Sequence, residues 1–336
     1  MASTSFFDEV SLSIREGVAV LTLLGESGTL PWGTSRQEHR FNPVMLRAMT
    51  AALDAVERDD SVNVLVVTNK GSFASSKFWS NGMDLNYLDK HPDEAANLLK
   101  QTDRLIARIC YFPRPTVAAI RGHWCATGGM MGLAFDFRLM SRDAGFFFIP
   151  AVDLGLVFSP FQTQLMKAKL PRSMHRDVLL FNSRRWTGLE LLAAGLVDEA
   201  VVGYEVLPRA QAFAAWLRAK GTGPARAALG PLKRRLYGEV LNALEGGVMD
   251  FPGRVAGVDR AAPGYKYPVN DPFSSKSRNR TKSKDRDRHV REMHRHRHCP
   301  QPWEPEAHGR RRKQCVVELH VSTGAFPSRM KIHLEH

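Results

Sequence analysis

The chain has 336 residues, 43% of them hydrophobic, enough for one large domain with a buried core and an appendage. It has no run of about 18 apolar residues, no basic-then-apolar start, and no CxxC spacing among Cys110, Cys125, Cys299 and Cys315. A membrane span, a secretory leader, a disulfide framework and a zinc ribbon are therefore not expected. The net charge of +13 is uneven: residues 271–336 hold 16 Lys and Arg against 8 Asp and Glu, which is +8 of the total.

In chain order, Val10 to Arg15 and Val18 to Leu23 alternate around Glu16-Gly17 and predict a β-hairpin. Residues 27–37 have loop composition and no period. Pro43 sits at the favoured first position of a helix whose apolar stripe is Met45, Leu46, Met49, Leu53 and Val56. Val64 to Thr68 reads as a buried parallel strand, followed by the segment Phe78-Trp79-Ser80-Asn81-Gly82-Met83-Asp84-Leu85. A long helix with Leu98, Leu99, Thr102, Leu105, Ile106 and Ile109 inward comes next.

Thr116 to Ile120 is a β-branched apolar run broken by Gly122, and Ala126 to Leu133 is too small and apolar for a surface loop. The spacing predicts a buried strand, a tight turn and a helix, whose first N–H groups have no partner within the helix. Such fixed donors suit an oxygen that becomes negative during a reaction, so this turn is expected to be half of an oxyanion hole. Helices near 159–170, 173–181 and 187–194, a short strand over Leu196 to Val201 and a helix over Val206 to Lys220 complete an α/β pattern with right-handed crossovers. From about Pro263 no apolar face recurs, and composition predicts a disordered basic tail over 263–336.

Three motifs in order, Ser80-Asn81-Gly82-Met83-Asp84-Leu85, Pro115 to Asp136, and Val152-Asp153-Leu154-Gly155-Leu156, resemble the crotonase (enoyl-CoA hydratase/isomerase) superfamily over about residues 8–255. With Glu38-His39-Arg40-Phe41-Asn42-Pro43, they look most like the plant peroxisomal delta-3, delta-2-enoyl-CoA isomerases. The resemblance implies a ββα spiral core with C-terminal helices, usually trimeric. It also implies binding of an acyl-CoA thioester and isomerisation of 3-enoyl to 2-trans-enoyl chains in β-oxidation, with no dissociable cofactor and no metal. Peroxisomal location is implied too, although the chain ends Leu-Glu-His rather than in a peroxisomal tripeptide, and the alternative expectation is a cytoplasmic one.

By the same resemblance the oxyanion donors are the backbone N–H of Met83 and of Thr127, or of Gly128. Asn81, Gly82, Asp84, His123 and Trp124 are the expected substrate-binding residues. The reaction also needs a carboxylate with a raised pKa beside the enolate. The family's two usual glutamate positions hold Met130 and Ala151, and the position used by some isomerases offers Ser159 and Pro160. Asp153 is left as the nearest carboxylate, either catalytic or bracing its own turn. His123 reads as a base or as pocket wall. Phe146, Phe147, Phe148, Phe158 and Phe161, with Met130 and Met131, read as acyl tunnel or as core. Asp84 and Asp136 each follow a turn and also fit the fixing of backbone N–H groups.

Two insertions depart from the family pattern, about ten residues at Ser27 to Gln37 and a few at Ala74 to Lys77. The missing glutamates leave a second expectation, a crotonase-like protein that binds acyl-CoA without turnover. The His-Arg-His-Arg-His-Cys run at 294–299 could bind metal or nucleic acid, but a solvated tail is the preferred reading.

Overall fold

A computed structural model describes residues 3–71, 77–181 and 184–249, all within the unit Met1–Arg278. Outside the described residues lie the tail expected over 263–336, with its His-rich run, Cys299 and Cys315, and the Ala74–Lys77 insertion except Lys77.

The first strand, β1 (Ser3–Phe6), was not read from the sequence; it pairs antiparallel with β2 (Val10–Arg15), which forms the expected hairpin with β3 (Val18–Leu23). The helix α1 (Pro43–Arg58) begins where the Asn42 side chain accepts from the N–H groups of Val44 and Met45, and its predicted stripe is buried. Next comes β4 (Val64–Asn69), buried at every position because both faces of a parallel strand are covered. The chain continues through β5 (Phe78–Ser80), α2 (Leu85–Lys90), α3 (Ala95–Cys110), β6 (Thr116–Ile120), β7 (His123–Cys125), α4 (Thr127–Ala134), β8 (Phe137–Ser141) and β9 (Phe147–Phe148). Then follow α5 (Pro160–Lys169), α6 (His175–Leu179), α7 (Gly188–Ala193), β10 (Glu199–Val201), α8 (Val206–Leu217), α9 (Gly223–Leu236) and α10 (Gly238–Asn242).

Seven strands form one sheet in the order β1-β2-β3-β4-β6-β8-β10, parallel from β3 onward. The short strands β5, β7 and β9 form a second, all-parallel sheet. This is the α/β arrangement expected from the motifs, a mostly parallel sheet beside a small second sheet, with helices over the C-terminal part of the described chain.

One ion pair and one set of hydrogen bonds from a buried arginine hold the later part of the fold to its centre. Asp136 accepts from the N–H and hydroxyl of Thr116 and from Lys233 Nζ at 2.6 Å, so it fixes a backbone N–H and anchors α9. Arg138 spends its guanidinium on carbonyls of Leu133, Phe135 and Leu196.

Candidate functional site

The second sheet brings the two proposed donor loops together. Ser80 of β5 pairs with Trp124 of β7, and each strand runs directly into its loop. Gly82 has φ of +78°, and a Cβ built on it would stand 2.9 Å from the Thr127 nitrogen and 2.9 Å from the Ala126 Cβ. Glycine is therefore required here for backbone shape and for space, because the two loops touch.

The direction of the Met83 N–H follows from its neighbours. Phe41 N–H donates to Gly82 O (2.8 Å), and Asp84 N–H donates to Phe41 O (3.0 Å). In a trans peptide the N–H points opposite to the C=O, so a Gly82 carbonyl turned toward Phe41 turns the Met83 N–H away from it. Arg40 Nη1 holds the next carbonyl, Met83 O, at 2.9 Å. On the other loop, Ala126 N–H is already used by Phe148 O (3.0 Å), and Ala126 turns the chain with φ of 50° and ψ of −131°. Thr127 is thus the first residue of α4, with no side-chain cap. Among the described residues neither the Met83 nor the Thr127 N–H has a hydrogen-bond partner.

Both residues line a cavity of about 420 Å³. Its walls are largely apolar, with Leu88, Met130, Phe148, Leu156, Phe158 and Met249 among them. Arg40, Asn81, His123, Cys125, Thr127 and Arg185 supply the polar groups, and no carboxylate among the described residues lines it. Met130 and Ala151, at the two usual glutamate positions, are both in the lining. The aromatic and methionine cluster divides: Phe148, Phe158 and Met130 face the cavity, Phe147, Phe161 and Met131 are core, and Phe146 is in neither but stacks on His123.

Of the expected substrate contacts, Asn81 and His123 are in the lining. Asn81 Nδ2 donates to Glu38 Oε2 (3.0 Å), and its Oδ1 accepts from Cys125 Sγ (3.0 Å). His123 Nδ1 accepts from the Phe146 N–H (3.0 Å), which leaves the ring proton on Nε2. Burial, reinforced by Arg185 and Lys77, lowers its pKa to about 4. The ring is neutral at physiological pH with one nitrogen committed, a poor arrangement for a base.

Five expected positions are outside the cavity lining, and the first of them, Gly82, serves instead as the point where the two loops touch. Trp124 is fully buried against Phe147, because strand alternation sends His123 and Cys125 one way and Trp124 the other. Asp84 is fully buried and braces the start of α2, accepting from Tyr87 N–H, Trp32 Nε1, Thr34 Oγ1 and Asn42 Nδ2. Gly128 packs on Ser80, where a Cβ would meet the Ser80 carbonyl at 2.5 Å. Asp153 sits half-exposed in a 3-10 turn over Val152–Leu154, beside the lining residues Ala151 and Leu154 but outside the lining itself.

The sequence reading missed Arg40, Cys125 and Arg185, which line the cavity. Period-two alternation along 123–125 would have found Cys125. Burial pushes its thiol up to about 12. It also missed Asp103, whose carboxylate accepts from Ser159 Oγ (2.8 Å) and Gln162 Nε2 (2.9 Å) and is raised to about 6 by burial. Ser159 is thereby committed to capping α5. No group of three or more His, Cys, Asp or Glu among the described residues is placed to hold a metal ion.

The enoyl-CoA hydratase/isomerase family model matches residues 36–244. The chain is 29% identical over 201 residues to the peroxisomal enoyl-CoA delta isomerase 2 of Arabidopsis thaliana, covering 58% of this chain and 78% of that protein. It is 31% identical over 195 residues to enoyl-CoA delta isomerase 3 of the same plant, covering 56% and 76%. Among solved structures, a Mycobacterium tuberculosis protein described in one structure as an enoyl-CoA isomerase and in another as a probable enoyl-CoA hydratase superposes with TM-scores of 0.60 and 0.61 at 27% identity, over 71% of this chain and 95% and 93% of those chains.

Proposed function

The chain belongs to the enoyl-CoA hydratase/isomerase family, and from that premise we propose that it isomerises 3-enoyl-CoA to 2-trans-enoyl-CoA in fatty acid β-oxidation. The observation that carries this reading is the pair of unpartnered amides, Met83 and Thr127, in the wall of a mostly apolar cavity. Shifting the double bond means removing a proton from C2 and returning one at C4, with an enolate between. Two amides fixed beforehand on the thioester oxygen lower the enolate's energy, and one such donor is worth about 3 kcal/mol. Hydration would in addition require a water to be held and deprotonated against C3. The side chains of Met130 and Ala151 supply a base for neither reaction, so the C2 proton needs an acceptor outside the lining, of which Asp153 is the nearest carboxylate along the chain. The choice of isomerisation over hydration rests on the likeness to the Arabidopsis delta isomerases.

Purified protein given 3-hexenoyl-CoA is expected to accumulate the conjugated 2-enoyl thioester, followed by its ultraviolet absorbance. No conjugated product would end the isomerase claim. A second reading, thioester binding without turnover, is favoured by Met130 and Ala151 in the lining. Ala151→Glu separates the two: activity gained by the variant and absent from the parent chain means an intact site that lacks a base. A peroxisomal place of work is proposed from the name of the peroxisomal enoyl-CoA delta isomerase 2 of Arabidopsis, and a homotrimer from family resemblance. Organelle fractionation and analytical ultracentrifugation test these.

A further inference from the structure

We infer that Trp32 and Thr34 are positioning residues for the Met83 amide, acting through Asp84. Both lie ahead of residue 36, where the family match begins, in the segment whose composition predicts a loop and which departs from the family pattern as an insertion. That segment is folded back on the site across about fifty residues of chain. Trp32 Nε1 donates to Asp84 Oδ2 at 2.6 Å, and Thr34 Oγ1 donates to Asp84 Oδ1 at 2.6 Å. Trp32 also meets Tyr87 of α2 edge-on, with ring centroids 4.9 Å apart.

Asp84 immediately follows Met83 and has φ of −82° and ψ of 88°, neither helical nor in a sheet ladder. Its own N–H is spent on Phe41 O, and its carboxylate is fully buried. Asn42 Nδ2 and Tyr87 N–H complete the four donors at 3.2 Å each. The two bonds from Trp32 and Thr34 are the shorter pair. Releasing one frees a buried carboxylate to turn toward its remaining donors, which shifts the Met83–Asp84 peptide and, through the Phe41 bridge that this peptide shares with Gly82–Met83, the Met83 N–H. Neither Trp32 nor Thr34 lines the cavity, so an effect on a bound thioester must pass through Asp84.

This rests on the oxyanion reading above, and its test has a readout that needs no turnover. The full chain is loaded with hexanoyl-CoA carrying a 13C thioester carbonyl, which cannot isomerise, and the carbonyl stretch is read by difference infrared spectroscopy. In the parent protein the stretch is expected to fall relative to free hexanoyl-CoA. Thr34→Val and Trp32→Phe each shrink that fall and lower kcat on 3-hexenoyl-CoA about tenfold, a fraction of the loss of a whole donor. The Kd for hexanoyl-CoA stays within about threefold, and Thr34→Ser restores both readouts.

A variant with lower Tm but an unchanged carbonyl stretch and kcat overturns the proposal, leaving a purely structural brace. A weakened Kd with the stretch unchanged also overturns it, because the segment would then be touching ligand. If the parent protein binds hexanoyl-CoA with no fall at all, the oxyanion reading itself fails, a result distinct from either.

Discussion

The two amides of the site are supplied by loops built in opposite ways. The Ser80–Asp84 loop is held by hydrogen bonds: Glu38, Arg40, Phe41, Asn42, Trp32 and Thr34 all reach it from an earlier stretch of chain. The turn from β7 into α4 has no side-chain cap and is held by contact: every residue of α4 is buried, and three of its eight are glycines. Those glycines let Ser80, Phe147 and Trp124 approach to distances that a Cβ would forbid. A polar cradle can be loosened one bond at a time, whereas a packed turn gives way as a unit.

The largest effect is therefore expected on the packed side. Gly128→Ala puts a Cβ 2.5 Å from the Ser80 carbonyl, so α4 and β5 must part, and these are the elements that set the two amides' separation. The cost is about 3 kcal/mol, a fall in Tm of roughly 10 °C, with kcat down a hundredfold or more. Thermal unfolding and steady-state kinetics check this. Full activity in Gly128→Ala would mean that the turn tolerates displacement and that the comparison is misdrawn.

The polar side is expected to respond less. Asp84→Asn keeps the shape but turns an NH2 toward two of the four donors, Thr34 and Tyr87 on one oxygen or Trp32 and Asn42 on the other, at a cost of about 2 kcal/mol. A fall in kcat of roughly tenfold to a hundredfold is expected, because one amide loses its direction while Thr127 keeps its own. Loss of Tm with kcat intact would show that the hydrogen-bonded cradle holds the fold and not the amide.

How much of this could be read in advance follows the same division. The packed turn was legible because small apolar residues after a β-branched strand have few other uses, and Thr116 to Ile120 and Thr127 to Ala134 fall close to where the pattern put them. The polar cradle was not. Residues 27–37 have no period, and nothing local says that Trp32 and Thr34 find their acceptor about fifty residues later. Strands as short as β5, β7 and β9 carry too few residues for a period to register. Trp124 is expected at the site for that reason, because the pattern gives a single tight turn where the structure has the three-residue strand His123–Cys125. The position of Asp103 was hidden by its regular place within α3, where a lone acid ordinarily faces water.

The smallest effect sharpens the comparison from the packed side. Ala126 holds φ of 50° with ψ of −131°, a conformation that costs a residue with a Cβ about 1 kcal/mol or more. It is kept there because Ala126 N–H must reach Phe148 O while the next N–H stays free for the cavity. Ala126→Gly removes that strain and keeps the turn. Against it stand the greater backbone entropy of glycine in the unfolded chain, about 0.5–1 kcal/mol, and the loss of the methyl that faces Gly82. These nearly cancel, so Tm is expected to move by no more than about 2 °C. The discriminating readout is the carbonyl stretch of bound hexanoyl-CoA. If packing of α4 alone sets the Thr127 amide, the stretch stays at its parent value in Ala126→Gly. If the stretch relaxes toward that of free thioester while Tm holds, the strained alanine itself aims the amide, and the packed loop too is positioned at a single residue.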